Sequence, residues 1–188
     1  MTPLLEAEGL GHRFGPNWLF RGVDLVVHPG DRLAILGRNG TGKSTLLRVL
    51  AGQLRPREGW VRSPEPAYAA LDMNLYPTLT GVEHLALAQE LRGSTATPSE
   101  WLTRVGLPRA AFDRPVGAYS TGMRSRLRLA LALAAECPLL LLDEPTAALD
   151  EPGREVVNEV IRTFDGAVVM ATNDPEDRRL ATHELDLG

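Results

Sequence analysis

The sequence predicts an α/β fold, and three observations carry that class. Short runs rich in leucine and β-branched residues alternate with stretches whose apolar residues recur at helical spacing. The run LLLL at 139–142 is apolar throughout, as expected of a strand buried on both faces in a parallel sheet covered by helices. A β-like run at 32–36 leads through a glycine-rich loop directly into a helical pattern.

The first elements are β-like runs at 4–8, 23–27 and 32–36, separated by Gly and Pro. Residues 43–51 then read as a helix that stops at Gly52. Short strands are expected at 59–62 and 67–71, on either side of the Pro-rich segment 63–66. From about 78 the texture becomes helical. Thr80 with Glu83 and Thr97 with Glu100 fit capping boxes, in which hydroxyl and carboxylate satisfy each other's free backbone N–H groups, and Pro98 stands at a first helical position. Gly106 ends the second of these helices. A long amphipathic helix is expected over 121–135, with Arg124, Arg126 and Arg128 keeping one side in water. After the strand at 139–142 come a helix over 152–164, a strand over 167–171, a short helix capped by Asp174, and a last strand near 184–187.

The chain has 188 residues, which fits one domain, 1–188, with a helical subdomain at 78–118 within it. Its 20 basic and 24 acidic residues give a net charge of −4, which argues against a polybasic binder of nucleic acid. The longest apolar stretch of the Leu-rich part, 129–135, falls far short of the ~20 residues that span a bilayer. The start, MTPLLEAEGL, lacks the basic-then-apolar pattern of a secretory signal, so a cytoplasmic location is expected. Cys137, the sole cysteine, excludes an internal disulfide and a cysteine cluster for a metal, and reads as a small core side chain. Lys43 is the sole lysine among 20 basic side chains, which makes its position informative.

That position is the last but one of Gly37-Arg38-Asn39-Gly40-Thr41-Gly42-Lys43-Ser44, which matches the phosphate-binding pattern G-x-x-x-x-G-K-[ST] between a strand and a helix. The chemistry requires these residue types. Glycines let successive N–H groups curl around phosphate oxygens, the helix N-terminus adds partial positive charge, and Lys43 reaches the terminal phosphates. Ser44 would hold magnesium. At the carboxyl end of the strand that begins at 139, where ligands of open α/β sheets bind, stand Asp143 and Glu144. Asp143 would bind magnesium through water, and Glu144 would orient or deprotonate a water attacking the terminal phosphate.

With these motifs in place the chain resembles the ATP-binding cassette (ABC) ATPases. Tyr119-Ser120-Thr121-Gly122-Met123 stands where the family carries its LSGGQ signature, keeping the Ser and the second Gly while Thr121 and Met123 depart from the commonest form. Residues 146–150, ending in Asp150, are similar to the family's D-loop, and Phe14 is placed like the aromatic residue that stacks on adenine. Core packing of Phe14 is the alternative, and the sequence leaves both open. The resemblance implies a phosphate-loop (RecA-like) core with an antiparallel β part and an inserted helical subdomain. It also implies a dimer in which ATP and Mg2+, held by residues 37–45 including Thr45, lie against Ser120 to Met123 of a second copy.

Two positions depart from the family. Asn173 stands where a histidine is usual; its amide can donate to the γ-phosphate but cannot carry charge or move a proton, so reduced hydrolysis is expected. The usual loop glutamine falls at Leu71, with Asp72 beside it. A single cassette implies an ATPase subunit peripheral on the cytoplasmic face of the cell membrane, partnered by integral membrane transporter subunits and a second copy of itself or a homologous subunit, with no nucleic acid. Its compactness, with the brief stretch 60–67, is similar to the small haem-exporter ATPases of cytochrome c maturation. Two alternatives stand beside this: a soluble ABC ATPase acting on ribosomes or DNA, and a nucleotide-gated binding subunit that hydrolyses weakly.

Overall fold

The structure, a computed structural model, describes residues 2–92 and 96–188. Residues 93–95 of the expected helical subdomain lie outside the described residues. In chain order the elements are β1 (Leu5–Phe14), β2 (Asn17–Val27), β3 (Arg32–Leu36), α1 (Lys43–Leu50), β4 (Glu58–Arg62), β5 (Ala67–Ala70), α2 (Gly81–Arg92), α3 (Pro98–Arg104), α4 (Thr121–Leu133), β6 (Leu139–Asp143), α5 (Glu151–Thr163), β7 (Ala167–Ala171), α6 (Pro175–Arg178) and β8 (His183–Asp186). The chain divides into two compact units, one formed by residues up to Tyr68 with 137–144 and 164–188, the other by 69–136 with 145–163.

In the first unit an antiparallel sheet runs β2-β1-β4, and a second sheet has the order β5-β6-β7-β3-β8, with parallel pairing of β6 to β7, β7 to β3 and β3 to β8. Residues 139–142 of β6 and all of β7 are buried, as their unbroken apolar sequences demand. Leu5, Leu10, Ile35, Leu46, Leu47, Leu139 and Leu141 meet in one core between the two sheets and α1. β1 and β2 are longer than the sequence reading allowed. Gly9 and Gly22, which read as boundaries, adopt φ of 60° and 68° inside continuous strands, and the register of β1 on β2 shifts between Ala7 and Leu10. Bulges absorb glycines without ending a strand. Cys137 is half-buried rather than enclosed in the core.

The second unit is helical. Both capping boxes form: Glu83 N–H donates to the Thr80 hydroxyl while Thr80 N–H donates to the Glu83 carboxylate, and Thr97 and Glu100 do the same at α3. The three arginines of α4 do more than face water. Arg124 donates to the Tyr119 carbonyl, Arg126 to that of Gly106 and Arg128 to that of Met73, so each half-buried guanidinium holds a separate loop carbonyl. Charge patterning cannot distinguish this from solvation, because the acceptors are backbone carbonyls, which carry no residue signal, and two of them lie 20 and 55 residues away.

α1 and α3 end alike. Gly52 (φ 71°) donates to Val49 while Gln53 donates to Arg48, and Gly106 (φ 67°) donates to Thr103 while Leu107 donates to Leu102. Beyond α4 the left-handed residue is Glu136 (φ 49°), exposed and donating its N–H to Leu133. A residue with Cβ is strained there, whereas glycine loses more freedom on folding, so the two effects partly offset. Glu136→Gly is expected to stabilise the chain by about 0.5–1 kcal/mol, measured as a higher midpoint in urea at unchanged slope.

Candidate functional site

The phosphate-loop residues gather at the carboxyl edge of the parallel sheet, between the end of β3 and the first turn of α1. Sequence makes the loop tight. At Gly37 an added Cβ would lie 2.6 Å from Thr41 Oγ1, and Gly37, Gly40 and Gly42 adopt φ of 143°, 87° and 101°. Thr41 closes the turn by donating both its N–H and its hydroxyl to the Arg38 carbonyl. Lys43 is buried, and its ammonium donates to the Gly37 carbonyl at 2.8 Å and to Asn173 Oδ1 at 3.2 Å. Arg38 and Asn39 are exposed at the loop tip, with Ser44 exposed on α1.

Asn39, Gly40, Gly42, Lys43, Ser44 and Thr45 line a cavity of about 450 Å³ together with Phe14, Leu19 and Glu144. Phe14 is 59% exposed there, so it is not a core residue. Its ring meets that of buried His12 edge-on, with centroids 5.0 Å apart. The cavity therefore has an exposed aromatic face, a set of loop N–H groups and one carboxylate.

Glu144 follows β6 in the left-handed region, with φ of 48°, unusual for a residue with Cβ. Its N–H donates to the Ala171 carbonyl at 2.9 Å, which fixes the turn against the end of β7. Burial is the main influence on its carboxyl and pushes the pKa up; the Asn173 N–H and the Lys43 ammonium pull it down, while Asp143 and buried Asp177 add to the rise. The net direction is upward, which suits a group that takes a proton.

Asp143 stands at the end of β6, half-buried. Ser44 and Asp143 are oxygen donors of the kind Mg2+ takes, and among the described residues no group of three or more His, Cys, Asp or Glu could hold a metal unaided. One carboxylate and one hydroxyl fit an ion that completes its shell with water and substrate phosphates.

The remaining candidates lie in the second unit. Ser120 caps α4, its hydroxyl accepting from the Met123 N–H at 3.1 Å, so the helix presents its N-terminus there with Thr121 exposed. A Cβ on Gly122 would come 3.1 Å from the Ala148 carbonyl, which explains glycine at this position. Asp150 is exposed and caps α5 by accepting from the Gly153 N–H. Leu71 and Asp72 border a cavity of about 330 Å³ with Arg124 and Arg128, and the Asp72 charge favours the ionised Arg128 whose burial opposes it. Two participants escaped the sequence reading: Asn39 as a side-chain partner of Asn173, and Asp177, buried and accepting from the Thr172 hydroxyl. Asp177 carries no signal in an acidic helix start, where carboxylates are common.

The family model described as ABC transporter matches residues 20–147. The chain is 40% identical over 178 residues to the cytochrome c biogenesis ATP-binding export protein CcmA of Hyphomonas neptunium, covering 92% of this chain and 91% of that one. It is 36% identical over 182 residues to the aliphatic sulfonates import ATP-binding protein SsuB 3 of Paraburkholderia xenovorans, covering 94% and 73%. An ABC transporter solved in an inward-facing conformation superposes with a TM-score of 0.85 at 28% identity, over 100% of this chain and 80% of that chain.

The position of Glu144 carries a consequence for stability. Because its folded pKa is raised, folding favours the protonated form, and this contribution fades as pH climbs from the ordinary carboxylate range through the folded pKa. Glu144→Gln removes the penalty on the charge. The variant is expected to melt above the parent at pH 8, with the gain shrinking as the pH is lowered toward 5, followed by thermal unfolding at both pH values.

Proposed function

The chain belongs to the ABC transporter family and is an ATPase, and we propose that it powers export through separate integral membrane subunits, with haem for cytochrome c maturation as the cargo. The observation that carries the reading of the site is the single cavity that joins the phosphate loop, Glu144 and exposed Phe14. Export and the link to cytochrome c biogenesis are supported by relatives whose names carry both, and haem as the cargo follows from the resemblance to the haem-exporter ATPases. Similarity to an aliphatic sulfonates import protein is why direction and cargo are both put to experiment.

Residues 37–45 bind the triphosphate. Loop N–H groups and the α1 N-terminus face the phosphate oxygens, Lys43 neutralises the terminal groups, and Phe14 stacks on the base. Ser44 and Asp143 hold Mg2+, which when bound offsets charge on the phosphates. Glu144 orients the attacking water and receives its proton, and Asn173 donates to the γ-phosphate. Ser120, Thr121, Gly122 and Met123 complete the site of a second copy, with Asp150 beside them, so that ATP joins two chains and hydrolysis parts them. The exposed surface about Leu71, Tyr76 and Leu87 is the face offered to the membrane subunits, and the chain sits peripherally on the cytoplasmic side of the membrane as their ATPase subunit. Among the described residues no helix is long and apolar enough to cross one.

Purification from native membranes in mild detergent should bring down integral membrane proteins, and haem or cytochrome-maturation factors with them. Recovery with ribosomes, DNA or no partner would overturn the transport reading. Asn173 gives a second prediction. An imidazole can hold a proton where an amide cannot, so Asn173→His should raise steady-state ATP turnover about tenfold; an unchanged rate would show that this position does not limit hydrolysis.

A further inference from the structure

Asn173 does something in this structure that a group reserved for a terminal phosphate would not do. The turn that carries it is built tightly: the Thr172 hydroxyl donates to buried Asp177 at 2.7 Å and accepts from the Asp174 N–H at 2.9 Å, and Thr172 N–H donates to the Ile35 carbonyl. That turn places the Asn173 amide on the phosphate loop. Its oxygen accepts from Lys43 Nζ at 3.2 Å, and its nitrogen donates to Asn39 Oδ1 at 2.6 Å. The sense of the amide is fixed by chemistry, because an ammonium can only donate and so demands the oxygen. This side chain therefore links Asn39 at the loop's tip to Lys43, beside the direct contact of Lys43 with the Arg38 carbonyl.

Lys43 is buried, and its three N–H groups are taken by Asn173, by the Gly37 carbonyl at 2.8 Å and by the Arg38 carbonyl at 3.5 Å. A phosphate that reaches Lys43 must compete with Asn173 for the ammonium. Breaking that contact also releases the amide nitrogen from Asn39. A γ-phosphate offers the nitrogen a charged acceptor close to Lys43, whereas with a nucleoside diphosphate the exposed amide finds only water. The loss is thus made good for ATP and not for ADP.

We propose that Asn173 is a latch on the phosphate loop, a positioning residue that competes with nucleotide for Lys43 and makes the site favour triphosphates over diphosphates. This rests on the reading of residues 37–45 as the ATP site. A residue that only touched the γ-phosphate would leave ADP affinity unchanged when removed, and the latch does not.

The test is titration calorimetry of Mg2+-ADP into the full chain and three variants. Asn173 is exposed, so its replacement leaves the fold intact, as circular dichroism would verify. Asn173→Ala should bind ADP about fivefold more tightly, since a hydrogen bond to a charged group no longer has to be broken. Asn173→Asp should bind ADP at least about tenfold more weakly, because a carboxylate keeps Lys43 and repels phosphate. Unchanged or weaker ADP binding by Asn173→Ala would overturn the latch. Lys43→Ala serves as the separate control: if it binds ADP as the parent does, the loop is not the nucleotide site and the underlying reading fails instead.

Discussion

One buried ammonium governs the architecture of the first unit. Lys43 is 7% exposed, and a charge so enclosed is tolerated only where polar groups replace its water. The Gly37 carbonyl and the Asn173 amide do this, and both stand at the carboxyl edge of the parallel sheet, one after β3 and the other after β7. The core beneath supplies the rigidity. With residues 139–142 of β6 and all of β7 buried, the ends of these strands have little freedom, and the residues that follow them are held in register.

Glu144 is placed by the same edge. Its left-handed backbone is a local cost, of order 1–3 kcal/mol for such residues, held by the bond from its N–H to Ala171. Its carboxyl sits between opposing influences, raised by burial and by two neighbouring carboxylates, lowered by Lys43 and a backbone N–H. The result is a carboxyl that holds a proton more readily than an ordinary glutamate, as the proposed role of general base requires. Strain and desolvation fall together on Glu144, the residue proposed to receive the proton.

Much of this was legible in the residues. The phosphate loop, the apolar strand ending in Asp143 and Glu144, and both capping boxes follow from local patterns whose physics acts over a few residues, and the structure forms each of them. What stayed hidden depends on partners distant in sequence. Gly9 and Gly22 look like strand ends until the pairing of β1 with β2 shows them to be bulges. Arg124, Arg126 and Arg128 look like a solvated face until the carbonyls they hold are known. Phe14 reads equally as core or platform, and only its exposure decides against the core. Asn173 reads as a weak substitute for histidine, and its bonds to Lys43 and Asn39, 130 and 134 residues away, give it a further role.

A single chain provides a phosphate loop in one unit and a capped, glycine-bearing helix N-terminus at Ser120 in the other, and the proposed cycle depends on these meeting across two copies. Sedimentation velocity of the Glu144→Gln chain with Mg2+-ATP addresses this most directly, because slowed hydrolysis would trap the joined state. A dimer that forms with ATP, dissociates without it, and is lost when Ser120→Arg is added would establish the shared site. A monomer under all conditions, or a dimer indifferent to both ATP and Ser120→Arg, would contradict it.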